Sequence, residues 1–149
     1  MRAVVQRVHE ASVVVDDETV SSMGGGLLVY LGVSKSDTSA DIEFLAKKVR
    51  HLRVFPDDDG ALNRDVAESG GDVLVVSAFT TQGDARKGRR PSFVEAASPD
   101  LARELYESFC DALSQFGLTV HKGRFREHMD VSSVNDGPIC ILLDSHKTF

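Results

Sequence analysis

The sequence predicts an α+β fold, a largely antiparallel sheet with two main helices set between its strands. Two observations lead there. Short apolar runs occur in neighbouring pairs separated by Gly- and Asp-rich turns, the pattern of hairpins. Two longer stretches repeat their apolar residues every three or four positions, the pattern of amphipathic helices. The 149 residues hold no linker, repeat or low-complexity segment, so a single domain over 1–149 is expected.

Arg2 to Val15 alternates loosely, with Val4, Val8, Val13 and Val15 among polar partners, and reads as one or two strands closed by an Asp16-Asp17-Glu18 turn. Thr19 to Met23 leads into Gly24-Gly25-Gly26. Leu27 to Val33 is a continuous apolar strand, expected to be buried on both faces. Asp37-Thr38-Ser39 offers helix N-caps, and Ile42, Leu45, Val49 and Leu52 form the apolar stripe of the first helix. Val54-Phe55 opens a hairpin over Asp57-Asp58-Asp59-Gly60, whose ligand register fails the EF-hand pattern and reads as an acidic turn.

Asp72 to Val76 is a second buried strand running into Ser77-Ala78-Phe79-Thr80-Thr81, followed by a polar, basic loop from Gln82 to Phe93. Ser98 caps the second helix with Pro99 at its first position, where a missing N–H costs nothing. Leu101, Leu105, Phe109, Ala112 and Phe116 share one face of it, and Gly117 terminates it. From Val131 to Asp144, two apolar runs flank Asn135-Asp136-Gly137-Pro138, read locally as two strands and a turn.

Composition narrows the function classes. No apolar run approaches the ~20 residues needed to cross a bilayer, and the N-terminal Met-Arg-Ala-Val-Val-Gln-Arg-Val lacks a signal-peptide pattern, so a cytosolic protein is expected. Cys110 and Cys140 belong to no CxxC pair and read as free thiols. The five histidines show no metal-binding spacing, and neither a metal nor a cofactor is expected. A net charge of −6 argues against indiscriminate nucleic-acid binding, but Arg86, Lys87, Arg89 and Arg90 fall within five residues and Lys122, Arg124 and Arg126 alternate further on. Such a patch suits one local contact with a polyphosphate chain, or is simply a solvated loop face.

Three segments offer chemistry. Ser77, Thr80 and Thr81 have no His nearby in sequence to act as base, but the backbone N–H groups of a strand end can stabilise a developing oxyanion. A Gly137-Pro138 pair presents two carbonyl oxygens with almost no side chain in the way, suited to reading a small polar group. Cys140 lies inside the apolar run Ile139 to Leu143 and reads as a buried structural thiol rather than a nucleophile. Arg7, on the first strand, carries a planar fork suited to holding carbonyls or carboxylates in place.

Met1 to Val8, Gly32-Val33, Ser77 to Thr80, Arg86-Lys87-Gly88-Arg89-Arg90-Pro91-Ser92-Phe93 and Val134 to Pro138 resemble, in order and spacing, the D-aminoacyl-tRNA deacylases. The resemblance spans essentially the whole chain. It implies a barrel-like core and a homodimer with active sites at the subunit interface. The implied activity releases D-amino acids, and glycine wrongly attached to tRNA, from the 3′-terminal ribose. In the family a Ser-Gln-Phe-Thr strand end meets an Asn-x-Gly-Pro segment of the other subunit. Carried over, Ser77, Phe79 and Thr80 lie at the scissile ester, with backbone donors and the ribose 2′-OH in place of a side-chain nucleophile. Gly137 and Pro138, joined by a cis peptide bond, point carbonyls at the substrate ammonium, with Asn135 in the same motif and Arg7 holding the dipeptide. Arg86, Lys87, Arg89 and Arg90 would contact tRNA.

Two positions depart from the family pattern. Ala78 stands where the family has Gln and can neither donate nor accept through its side chain; Cys140 often has a Thr counterpart. Two other readings follow from the same residues: a non-catalytic nucleic-acid-binding module using the basic loop, and a hydrolase dependent on Cys140.

Overall fold

The computed structural model describes residues 1–149. Its elements run β1 (Arg2–Val15), β2 (Glu18–Met23), β3 (Gly26–Gly32), α1 (Ser39–Arg50), β4 (Phe55–Pro56), β5 (Leu62–Arg64), β6 (Asp72–Ser77), a 3₁₀ turn (Phe79–Gln82), α2 (Pro99–Gln115), β7 (Val120–Lys122) and β8 (Asp130–Asp144). Everything is built on β1, a single strand of 14 residues. One edge of it pairs first with β3 (Arg2↔Gly32 to Val8↔Gly26) and then with β2 (Ala11↔Met23 to Val15↔Glu18). The other edge pairs with β8 from Arg2↔Asp144 to Val14↔Asp130. Asp16 and Asp17, both at positive φ, make the tight β1–β2 turn, a conformation that Asp tolerates better than most residues.

The sheet is mixed, which corrects the expectation of a largely antiparallel one. β6 lies parallel to β3 (Gly26↔Asp72 to Leu31↔Ser77), and β7 lies parallel to β6. Parallel neighbours need a crossover of a dozen or more residues. The two helices supply these crossovers, α1 between β3 and β6 and α2 between β6 and β7. The acidic hairpin is present as β4 and β5, with Asp57 accepting from the N–H groups of Asp59 and Ala61.

Two cores explain the continuous apolar strands. On one face, Val5, Leu27, Val29, Val73 and Val75 pack under Leu45 and Val49 of α1 and Phe109 and Leu113 of α2. On the other, the sheet curls so that Val8, Ala11, Val13, Val15 and Met23 close over Leu28, Leu74 and Val76. The result is a nearly barrel-shaped layer with β3 and β6 buried on both sides. Each such fully buried aliphatic or aromatic side chain stabilises by about 1.5–3 kcal/mol.

α1 starts at Thr38, whose backbone N–H donates to Asp41 at 2.8 Å. α2 starts after Ser98 with Pro99 in its first turn and ends before Gly117, at φ +82. Its buried stripe differs from the expected one: Leu105, Tyr106, Phe109, Cys110 and Leu113 are buried, whereas Phe116 is 43% exposed. The Tyr106 hydroxyl donates to Val75 O at 2.9 Å, which rolls the helix toward the Tyr106-Cys110-Leu113 side. Burial pushes the Cys110 thiol up to about 12. In native protein at pH 8, Cys110 is therefore expected to resist iodoacetamide and to react once denaturant unfolds the chain. Peptide mapping checks this, and native-state labelling at the rate of a free thiol would contradict it.

Candidate active site

The end of β6 forms the first half of the site. Ala78 N–H donates to Leu31 O at 2.8 Å and Thr81 N–H to Ala78 O at 3.1 Å. Phe79 and Thr80 sit between these bonds in the first turn of the 3₁₀ segment, where N–H groups have no partner within the helix. The expected strand end is thus a tight helical turn. Gly32 makes it possible: a Cβ there would lie 1.9 Å from Thr81 Oγ1 and 2.7 Å from Ala78 O. Gln82, which sequence reasoning passed over, is buried and clamps the turn by donating to Gly32 O at 2.8 Å.

This turn opens onto a cavity of about 710 Å³, with Ser77, Ala78, Phe79 and Thr80 on one side and Tyr30 and Phe93 nearby. Phe79 is 58% exposed and meets Phe93 edge-on at 5.1 Å between ring centroids. Burial raises the pKa of Tyr30, so it enters the cavity as a neutral hydroxyl. The segment from Phe125 to Met129 also lines this cavity. Its polar, irregular sequence carried no signal of this placement.

The second half is the Asn135-Asp136-Gly137-Pro138 stretch, and here the local turn reading fails. Cys140 pairs with Gln6 and Asn135 with Val8, so both flanks pair antiparallel with the same strand and the chain never reverses. The stretch is a bulge in β8 opposite Arg7. Asn135 stitches it shut, its Nδ2 donating to Arg7 O (3.0 Å) and Ile139 O (2.9 Å). Arg7 holds it from the side: Nε approaches Asp136 Oδ2 (2.9 Å), Nη2 donates to Asp136 Oδ1 (3.2 Å), and Nη1 donates to Val54 O. Gly137-Pro138 is cis, and both residues are exposed. Cys140 is also exposed, with Gln6 Nε2 4.0 Å from its sulfur, so it is not the buried thiol expected from its apolar neighbours. β8 is a sheet edge with one open face, and Cys140 lies on that face beside exposed Leu142.

The basic loop is a hairpin closed by reciprocal Asp84–Ser92 backbone bonds of 2.8 Å, with Gly88 at φ +72. Arg86 is not a free cation. Its Nε and Nη2 donate to Asp84 at 2.9 and 2.7 Å, and that guanidinium holds the Asp84 carboxyl well below the usual range. Lys87, Arg89 and Arg90 are exposed and form no ion pair. Lys122 and Arg124 are paired with Glu107 and Glu18. The side chains with the best metal-donor convergence are Asp37, Asp41 and His146, but Asp37 already accepts from the Met1 ammonium (2.5 Å) and contacts His146 (2.8 Å).

A family model described as D-Tyr-tRNA(Tyr) deacylase matches residues 4–144. The chain belongs to this deacylase family. A D-aminoacyl-tRNA deacylase of Thermotoga petrophila is 56% identical over 149 residues, and one of Desulforudis audaxviator 54%, each covering the whole of both chains. A solved structure named c-Myc DNA Unwinding Element Binding Protein is 38% identical, with a TM-score of 0.92 over 97% of this chain and 98% of that one. A solved structure described as a probable eukaryotic D-amino acid tRNA deacylase shares the fold, at 18% identity and TM-score 0.81 over 95% of this chain and 97% of that one.

Within one deacylase chain the two halves stay apart. The 3₁₀ turn lies at the start of β1, where Arg2 Nη1 donates to Thr81 O at 3.4 Å. The bulge lies at Arg7, five residues on, or roughly 17 Å along the strand at ~3.4 Å per residue. Arg7, Asn135, Gly137 and Pro138 line no part of the cavity that holds Ser77, Ala78, Phe79 and Thr80.

Proposed function

We propose that the chain hydrolyses the ester of D-aminoacyl-tRNA, releasing free tRNA and the D-amino acid, and leaves the L ester intact. The observation that carries this reading is how the bulge is built. Asn135 and Arg7 donate to main-chain carbonyls, the Asp136 carboxylate is spent on Arg7, and exposed Gly137-Pro138 main chain is left to recognise substrate. Carbonyls that receive the ammonium, with the ester held, fix the directions of the remaining Cα substituents. A hydrogen fits against the near wall and an L side chain collides with it. Such a filter ignores the identity of the D side chain and admits glycine, so glycyl-tRNA is a substrate too.

The N–H groups of Phe79 and Thr80 stabilise the tetrahedral oxyanion, with Ser77 and Ala78 lining the ester's surroundings. Water adds to the carbonyl carbon, the bond to the ribose oxygen breaks, and that oxygen leaves as a hydroxyl, aided by the neighbouring 2′-OH. Lys87, Arg89 and Arg90, with Arg86 held against Asp84, meet the tRNA phosphates. A homodimer completes the site, the Gly137-Pro138 bulge of one subunit facing the 3₁₀ turn of the other. The ~17 Å separation within one chain supports this, as does the unpartnered face carrying Tyr30, Val4 and Leu142 side by side, Leu142 being 58% exposed.

The test is a matched pair of D- and L-tyrosyl-tRNA. The purified protein is expected to release the D-amino acid while the L ester persists, and equal release of both would refute the reading. A second reading is a nucleic-acid-binding module without turnover. It is favoured by the likeness to the 38% identical protein, which is named for binding a DNA unwinding element, and by three unpaired cations on the hairpin. Ala78→Gln separates the two: it raises deacylation where a site exists and leaves a pure binder at zero.

A further inference from the structure

We propose that Asp136 is a positioning residue, whose carboxylate neutralises Arg7 and thereby lets the neighbouring Gly137-Pro138 main chain accept a positively charged group. The inference rests on the reading that this main chain receives the substrate ammonium. The family motif, Asn-x-Gly-Pro, leaves the Asp136 position open.

The geometry singles Asp136 out. Arg7 is only 8% exposed, and Asp136 supplies its one carboxylate partner. The remaining acceptors of its fork are the neutral carbonyls of Val54 and of Asp136 itself, the latter at 3.3 Å from Nε. One residue therefore grips the same guanidinium with main chain and side chain together, which fixes the peptide plane leading into Gly137. On its outer side, Asp136 Oδ1 lies 3.5 Å from Nε2 of the largely exposed His9. Without the carboxylate, a buried full positive charge would sit beside a site that must bind a second one. Two like charges in such surroundings repel strongly, and salt weakens the repulsion in part because the Gly137-Pro138 side is open to solvent.

Asp136→Asn tests this, because it keeps the shape and acceptor oxygen and removes the charge. KM for D-tyrosyl-tRNA is expected to rise about tenfold or more, with a smaller change in kcat. The variant-to-wild-type ratio of kcat/KM should recover as KCl is raised, since tRNA binding itself cancels in that ratio. Asp136→Glu, which retains the charge, should recover much of the lost activity, and it carries the test should the Asn variant not fold. Melting curves confirm the fold of each variant. Asp136→Asn with wild-type KM, or a defect that salt does not relieve and Glu does not rescue, overturns the proposal. A wild-type protein that fails to prefer the D ester overturns the underlying reading instead.

Discussion

Gly137→Ala is expected to reduce D-aminoacyl-tRNA deacylation about a hundredfold or more in a protein that still folds. A Cβ at this position would lie 2.4 Å from Ile139 N and 2.8 Å from Ile139 Cγ1. The first is backbone, so no side-chain adjustment relieves it. Gly137 also has φ +148, a conformation L side chains rarely adopt. The peptide must rotate, and displacing a recognising group by about 1 Å can cost about a hundredfold in rate. The stability cost is about 1–3 kcal/mol, as for other local backbone strain. The bulge is exposed and tied down by Asn135 and Arg7 rather than by the core. Deacylation and melting measured on one preparation separate the two effects. Near-wild-type activity would show that the Gly137 main chain does not read the substrate.

Phe109→Ala is expected to destabilise the fold by about 3–5 kcal/mol, while Phe116→Ala costs under ~1 kcal/mol. Phe109 is fully buried between α2 and the sheet, in the cluster that includes Val75 and Leu113. Phe116, seven residues on, is 43% exposed at the helix terminus. A loss of this size is a large part of the total stability of a typical domain, about 5–15 kcal/mol. Urea titration reads both variants directly: the Phe109→Ala midpoint falls with little change in slope, and the Phe116→Ala midpoint hardly moves. Equal shifts would mean that α2 buries the face predicted from spacing alone.

That pair marks where local pattern stops being informative. A period of three to four residues shows that α2 is amphipathic, and Leu105 and Phe109 are on its buried face either way. The exact roll of the helix depends on the Tyr106 hydroxyl reaching Val75 O and on where α1 packs, which are contacts between distant segments. Strand parity behaves similarly. Leu27 to Val33 and Asp72 to Val76 announced burial on both faces, but that their pairing is parallel follows from α1 crossing between them. The succession strand, helix, strand carried that information and the hairpin reading overrode it.

The candidate site divides along the same line. Residue type alone marked Ser77 to Thr81, Asn135 to Pro138 and the basic loop as segments that could carry chemistry, while a strand end, a turn and a solvated loop explained each equally well; their reading as one site, with Arg7, came from the resemblance to the deacylase family. Both helices with their caps and the double burial of two strands were legible, since they depend on periodicity within some ten residues, whereas the mixed pairing of the sheet was not. The tertiary structure was needed for everything involving a partner far along the chain. It turned an apparent Asn-Asp-Gly-Pro hairpin turn into a bulge, because β1 pairs with both flanks. It brought Cys140 to an open sheet face, because β8 is an edge strand. It also separated the bulge from the 3₁₀ turn by about a third of the length of β1. Pairing across more than a hundred residues is decided by which edges remain open once the core has closed, and no local window of sequence contains that.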